Sequence, residues 1–185
     1  MANVKGSALA TRVTWVRLNH GQDGIEQLCE AVSPGLAGAI RDGVAVATWY
    51  PFSEFIELNT AIDRLFGRGD GGLIRELGRW GAGANMTTIY RLFYKVGTVR
   101  WVMSRAARLW YLHYDAGRLS LRELSSGEIE LAIEEFPTPS CAHCQAVLGW
   151  AERSVELSGG ELVTSEIHAC RLEGSQACRL RARWV

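Results

Sequence analysis

An excess of charge of either sign is what this sequence lacks: 20 Lys and Arg stand against 20 Asp and Glu. The electrostatic footprint of a nucleic-acid binder is therefore missing, and so is the basic patch that holds a protein on an anionic membrane. Long apolar runs are missing too; nothing approaches the ~20 residues that span a bilayer. The first residues, Met1-Ala2-Asn3-Val4-Lys5-Gly6, have no apolar stretch of the kind a secretory signal carries. Only 4 prolines occur in 185 residues, and no linker, repeat or low-complexity segment divides the chain. Hydrophobic residues make up 48% and charged residues 22%, a composition that excludes disorder. The expectation is one domain over residues 1–185, soluble and cytoplasmic.

Common catalytic signatures are absent as well. There is no Gly-x-Ser-x-Gly elbow and no His-Glu-x-x-His zinc motif. The run Gly67 to Gly72 follows no buried strand and lacks the Gly-Lys-Ser/Thr ending of a phosphate loop, so it reads as a turn between helices.

What is present is a change of period along the chain. Ile25, Leu28, Cys29 and Val32 recur at helical spacing before Pro34. Pro51 marks a helix start, and Phe52, Phe55, Ile56, Ile62, Leu65 and Phe66 form one apolar stripe. A further helix holds Leu73, Ile74, Leu77 and Trp80, and Gly81 to Asn85 is expected to break or kink it. Ile89, Leu92 and Phe93 suggest another. Thr98 to His113 reads as one amphipathic helix. Beyond Gly117 the period becomes two. Leu119 and Leu121, then Ile129, Leu131 and Ile133, alternate with polar residues as a hairpin. Ser140 caps a helix running to about Leu157. Residues 162–170 and 177–184 form a second hairpin. The expected fold class is α+β: an N-terminal helical layer packed on an antiparallel sheet, with a C-terminal β-β-α-β-β unit. Glu128, Glu130 and Glu134 on one strand face, and Arg179, Arg181 and Arg183 on another, suggest that these two strands are neighbours.

Five cysteines exclude a complete set of intrachain disulfides, and four lie in the last quarter of the chain. Cys141 and Cys144 form a C-x-x-C at a helix start, while Cys170 and Cys178 flank the last hairpin. With Glu166 or His168 on the nominal face of Cys170, they are candidate ligands of a structural zinc. The other reading is that small buried thiols pack between helix and sheet. A redox C-x-x-C fits the context less well, because such motifs follow a first strand. Seven tryptophans and a mid-chain run of aromatics suggest a core, an interface or an apolar pocket. The candidate pocket residues are Trp80, Tyr90, Phe93, Trp110 and His113.

The element order, Cys170-x7-Cys178 and the final Arg181-Ala182-Arg183-Trp184 resemble the 4-vinyl reductase domain and its relatives, the haem nitric-oxide-binding and TRAPP vesicle-tethering folds. Val4-Lys5-Gly6-Ser7-Ala8, Trp49-Tyr50-Pro51-Phe52, Glu76-Leu77-Gly78-Arg79, and His143-Cys144 with Leu148-Gly149-Trp150 are similar to an uncharacterised myxobacterial family within that group. The resemblance implies a dimer-forming module that binds small apolar molecules or other proteins. Its phenol-sensing members hold a structural zinc through three cysteines and a glutamate. Cys144, Cys170 and Cys178 match the cysteine positions, whereas Ile167 stands at the glutamate position, leaving Glu166, His168 or Cys141 as the fourth ligand. The Tyr-x-Ser-x-Arg motif of the haem branch is not found at Tyr94 or Tyr114, so the expectation is no haem. TRAPP relatives carry an acyl chain on a buried cysteine, for which Cys29 is the candidate.

Three readings of function follow. The first is a non-catalytic sensory or regulatory module that binds a small hydrophobic ligand between helices and sheet and signals as a homodimer. The second is a protein-interaction scaffold of TRAPP type, with a small GTPase or signalling protein as partner. The third is a reductase accessory factor for tetrapyrrole metabolism. None of them involves nucleic acid or a membrane span.

Overall fold

Backbone pairing begins at the third residue. The structure, a computed structural model, describes residues 1–84, 98–108 and 110–185. Strand β1 (Asn3–Lys5) leads directly into the long helix α1 (Gly6–Ala31) and pairs antiparallel with β2 (Trp49–Pro51). Helix α2 (Pro34–Asp42) carries Pro34 in its first turn, where a missing N–H costs nothing. Helices α3 (Phe52–Phe66), α4 (Gly72–Ala84) and α5 (Val99–Arg108) complete the helical part. Strands β3 (Arg118–Ser125) and β4 (Glu128–Glu134), helix α6 (Cys141–Leu157), and strands β5 (Leu162–Ala169) and β6 (Cys178–Trp184) follow. The fold is α+β, and the β-β-α-β-β unit stands as expected.

Several local expectations need correction. The helix expected around residues 24–32 is the second half of α1, bent at Gly21, whose φ of 66° glycine adopts freely. The glycine-rich run at Gly81 does not break α4; the helix continues to Ala84, with Ala82 buried. The helix expected over 98–113 ends at Arg108. A 3-10 turn over Trp110–Leu112 replaces its last part, and the amides of His113 and Tyr114 both donate to Trp110 O at 2.9 and 3.0 Å. The helix expected at Ile89, Leu92 and Phe93 lies outside the described residues.

The four-stranded sheet runs β3-β4-β6-β5, antiparallel throughout. Helix α6 packs its apolar side (Cys144, Val147, Leu148, Ala151 and Val155) against the helices and the sheet, where Ile129, Leu131, Leu180 and Ala182 are buried. Burying each large side chain contributes ~1.5–3 kcal/mol. The polar positions of β4 and β6 meet as their charges suggest. Glu130 stands opposite Arg181 and Glu128 opposite Arg183, while Glu130 itself binds Arg179 (2.9 Å), Arg122 (3.0 Å) and His168 (2.9 Å).

Helices α4 and α6 cross at two glycines, Gly78 and Gly149. Beside that crossing, the buried carboxylate of Glu152 accepts from Arg75, from Arg79 at 3.0 Å and from Ser165 at 2.5 Å. No helix among the described residues is long and apolar enough to cross a membrane.

Candidate functional site

Five aromatic side chains from three stretches of the chain converge on one imidazole. Phe52 and Phe55 lie three residues apart in the first turn of α3, hence on one helical face. The turn after α5 supplies Trp110 and Tyr114, stacked at 4.3 Å, and Trp110 Nε1 donates to Ala116 O at 3.0 Å. Phe136 follows β4. His143 comes from the first turn of α6, where Ser140 Oγ accepts from the His143 amide at 3.4 Å and fixes the helix start. The imidazole centroid is 4.9 Å from the rings of Phe52, Tyr114 and Phe136 and 5.7 Å from Trp110.

His143 is only 2% exposed, and its Nε2 has no hydrogen-bond partner among the described residues. Burial, helped by the charge of Arg12, pushes its pKa down to about 3, so the ring is neutral at physiological pH. Burial also pushes the Tyr114 phenol up to about 12, against the pull of Arg12. The nest is thus apolar in shape, with a neutral nitrogen and a neutral phenol set among its rings.

Arg12 adjoins the nest from the second turn of α1. Its guanidinium carbon lies 5.0 Å from the centroid of Phe55. Nε donates to Asn59 Oδ1 at 3.3 Å; Nη1 donates to Ala8 O at 3.2 Å and Thr11 Oγ at 3.1 Å. Burial lowers its pKa to about 10, which leaves it charged at neutral pH.

Of the pocket residues expected from sequence, the structure brings Trp110 into the nest. Trp80 is half-buried on α4, with an Nε1 that has no partner among the described residues. His113 is exposed. Tyr90 and Phe93 lie outside the described residues. His143 and Arg12 are functional groups that the sequence pattern of the pocket does not include. The signal for Arg12 was there: it sits on a stripe with Leu9, Val13 and Val16, a charged residue at an apolar helical position. His143 was masked by the cysteines on either side of it.

The thiols form a second constellation. The sulfurs of Cys144, Cys170 and Cys178 lie within 4.8 Å of one another, and all three residues are buried. The backbone amide of Arg171 donates to Cys178 Sγ at 3.4 Å. Burial and the neighbouring sulfurs push the Cys144 thiol well up. Cys141 is exposed, and its thiol is pushed up by partial burial and by the neighbouring Cys170. Glu166 and His168 are not placed with the sulfurs. Glu166 faces Arg181 at 4.0 Å, and His168 Nε2 meets Glu130 at 2.9 Å. Strand alternation fails to link His168 with Cys170 because the register shifts between Ile167 and Ala169, and β5 ends before Cys170.

No protein-family model matches this chain, and no curated protein matches it. Solved structures do share its fold. An H-NOX protein from S. oneidensis in the Fe(II)NO ligation state aligns with a TM-score of 0.74 at 14% identity, covering 98% of this chain and 99% of that one. The A71G mutant of an H-NOX protein from K. algicida, unliganded in the Fe(II) state, aligns at 0.71 and 12%, covering 98% and 96%. An oxygen-binding H-NOX domain related to soluble guanylate cyclases, in its oxygen complex, aligns at 0.66 and 14%, covering 97% and 94%.

These structures carry the haem-NO-binding branch of the resemblance, and give the 4-vinyl reductase, TRAPP and myxobacterial branches no support. They also correct the cofactor expectation. A fold shared with haem proteins overturns the exclusion of haem drawn from a missing motif, and the zinc expectation finds no support among them. On donor chemistry His143 fits haem, since its Nε2 is buried, neutral and without a partner among the described residues. On packing, the rings at 4.9 Å are in contact with the imidazole, so a macrocycle there requires Phe136 or Tyr114 to swing away.

Proposed function

We propose that residues 1–185 act as one sensory or regulatory module, not a catalyst. It binds a small, largely apolar ligand where the helices meet the sheet, and passes the signal on through contacts between two copies. The observation that carries this reading is the Nε2 of His143, without a partner among the described residues, inside a shell of five aromatic rings. A buried polar atom left without a partner costs ~1–3 kcal/mol, and a ligand that supplies the partner recovers it. Apolar walls with a few convergent polar groups are the usual make-up of a small-molecule site. The fold shared with oxygen-binding and Fe(II)NO-ligated H-NOX proteins supports a sensor over a scaffold. A ligand transmits a signal only by favouring one arrangement over another. On this reading the rings of Phe136 and Tyr114, which lie against His143, are what a ligand displaces.

The chemistry of His143 Nε2 favours haem as a second reading: His143 would be the residue that holds it, and the haem would supply the chemistry for binding a diatomic gas. Native mass spectrometry and an absorption spectrum of freshly purified, haem-supplemented protein test both. A dimer retaining a small apolar adduct supports the first reading. An intense haem band near 400 nm that is lost in His143→Ala supports the second. A bare monomer that takes up neither haem nor any ligand overturns the proposal.

A further inference from the structure

Among the described residues, no acid pairs with the charge of Arg12. The side chain is 6% exposed, yet no carboxylate lies within ion-pair distance of it among the described residues. The residues outside the described set, Asn85–Gly97 and Leu109, contain no Asp or Glu at all. Among the described residues its three hydrogen bonds go to neutral oxygens, and Nη2 donates to none of them. Asn59 is itself fixed, its Nδ2 bonded to Phe55 O at 2.7 Å so that Oδ1 faces the guanidinium. The buried acid one turn further along α3, Asp63, accepts from the amides of Gly71 and Leu73. Tyr114 is a neutral phenol at physiological pH. A buried ion is retained at this cost only where something pairs with it, because its desolvation is not offset by neutral partners alone.

We infer that Arg12 is the recognition group for an anion: the ligand carries a carboxylate that pairs with the guanidinium, while its apolar body lies against Phe55 and the rings around His143. This rests on the ligand-binding reading above and narrows it to the class of small aryl or alicyclic carboxylic acids. With Nε and Nη1 already bonded, Nη2 is the nitrogen left to meet a carboxylate, and such a charge-assisted hydrogen bond is strong where water is excluded.

The test compares two probes of nearly equal shape, 2-naphthoate and the neutral 2-naphthamide, by calorimetry on the full chain. The wild type is expected to bind naphthoate at least about tenfold more tightly than the amide, a difference of ~1.4 kcal/mol. Arg12→Met is expected to lose that preference, and Arg12→Lys to keep part of it. Without ligand, Arg12→Met is also expected to melt higher than wild type, because an uncompensated buried charge has gone. A guanidinium with a purely structural role predicts the opposite, a lower melting temperature. Equal binding of the two probes by wild type overturns the anion inference and leaves the ligand site standing. Failure of wild type to bind either probe overturns the inference, and with a bare chain in the mass spectrum the ligand-binding reading falls too. The wild-type comparison decides the matter whether or not Arg12→Met folds.

Discussion

Gly78 and Gly149 seat helices α4 and α6 against each other at backbone distance. A Cβ on Gly78 would stand 2.1 Å from Ala146 O, and one on Gly149 would stand 1.9 Å from Arg75 O. Both obstacles are main-chain oxygens, which cannot swing aside. The close approach lets Arg75 and Arg79 on one helix reach Glu152 on the other.

Gly149→Ala is therefore expected to destabilise the fold by about 2 kcal/mol or more, since the helices must separate to admit one methyl group. Gly38→Ala in α2, where nothing lies within 4 Å, is expected to stabilise by ~0.5–1 kcal/mol through helix propensity alone. Urea unfolding of the two variants checks the opposite signs.

Removal of the Glu152 charge is expected to cost ~3–5 kcal/mol, because Glu152→Gln leaves two arginines around a neutral group in a partly buried site. Glu156, a quarter exposed and paired with Arg79 at 2.6 Å, is expected to cost under ~1 kcal/mol when changed to Gln. A ratio near one in chemical unfolding would contradict this ranking.

Acid is expected to unfold the protein partly through His143. Its pKa falls from an ordinary 6.5 to about 3 on folding. Below pH 6.5 the unfolded chain takes up a proton that the folded chain refuses, so stability falls as pH drops from 6.5 towards 3. The limiting slope is ~1.4 kcal/mol per pH unit. Glu130 and Glu152 are held below the usual carboxylate range by their arginines, and they add a loss of the same sign at lower pH. Melting temperatures between pH 6.5 and 4.5 are expected to fall less steeply in His143→Phe than in wild type.

Thiol accessibility gives a simpler check. Cys141 is exposed, while Cys29, Cys144, Cys170 and Cys178 are buried. One fast-reacting thiol with Ellman's reagent is expected in the native protein, and all five in guanidinium. Fast reaction of three or more native thiols would mean that the cluster between α6 and the last hairpin is open to solvent.

The C-terminal half was legible because its signals were local. Alternation along Ile129–Ile133 and Cys178–Trp184, a capping Ser140 and opposed glutamates and arginines each pointed to the same arrangement. The helical half was harder. Glycines read as breaks at Gly81 because sequence cannot tell a glycine that ends a helix from one inside a continuing helix. At Gly78 and Gly149 the small size serves an approach between helices, which no single-chain pattern reveals. The nest around His143 draws on residues from 52 to 143, so it exists only once tertiary structure brings them together. Arg12 was visible as an anomaly in a stripe of Leu9, Val13 and Val16, yet its meaning depended on the absence of an acid in three dimensions.

The short strand β1 ties separate stretches of the chain together. Asn3 gives its backbone amide and its side-chain amide to the two oxygens of Asp115, each at 2.6 Å, across a separation of 112 residues. Lys5 N donates to His113 O at 2.8 Å, and Val4 bridges to Tyr114. Residues 3–5 thus lie between β2 and the segment that carries Tyr114, bonded to both. Loosening this short strand, for instance by Asn3→Ala, is expected to be felt at the wall of the nest that Tyr114 forms.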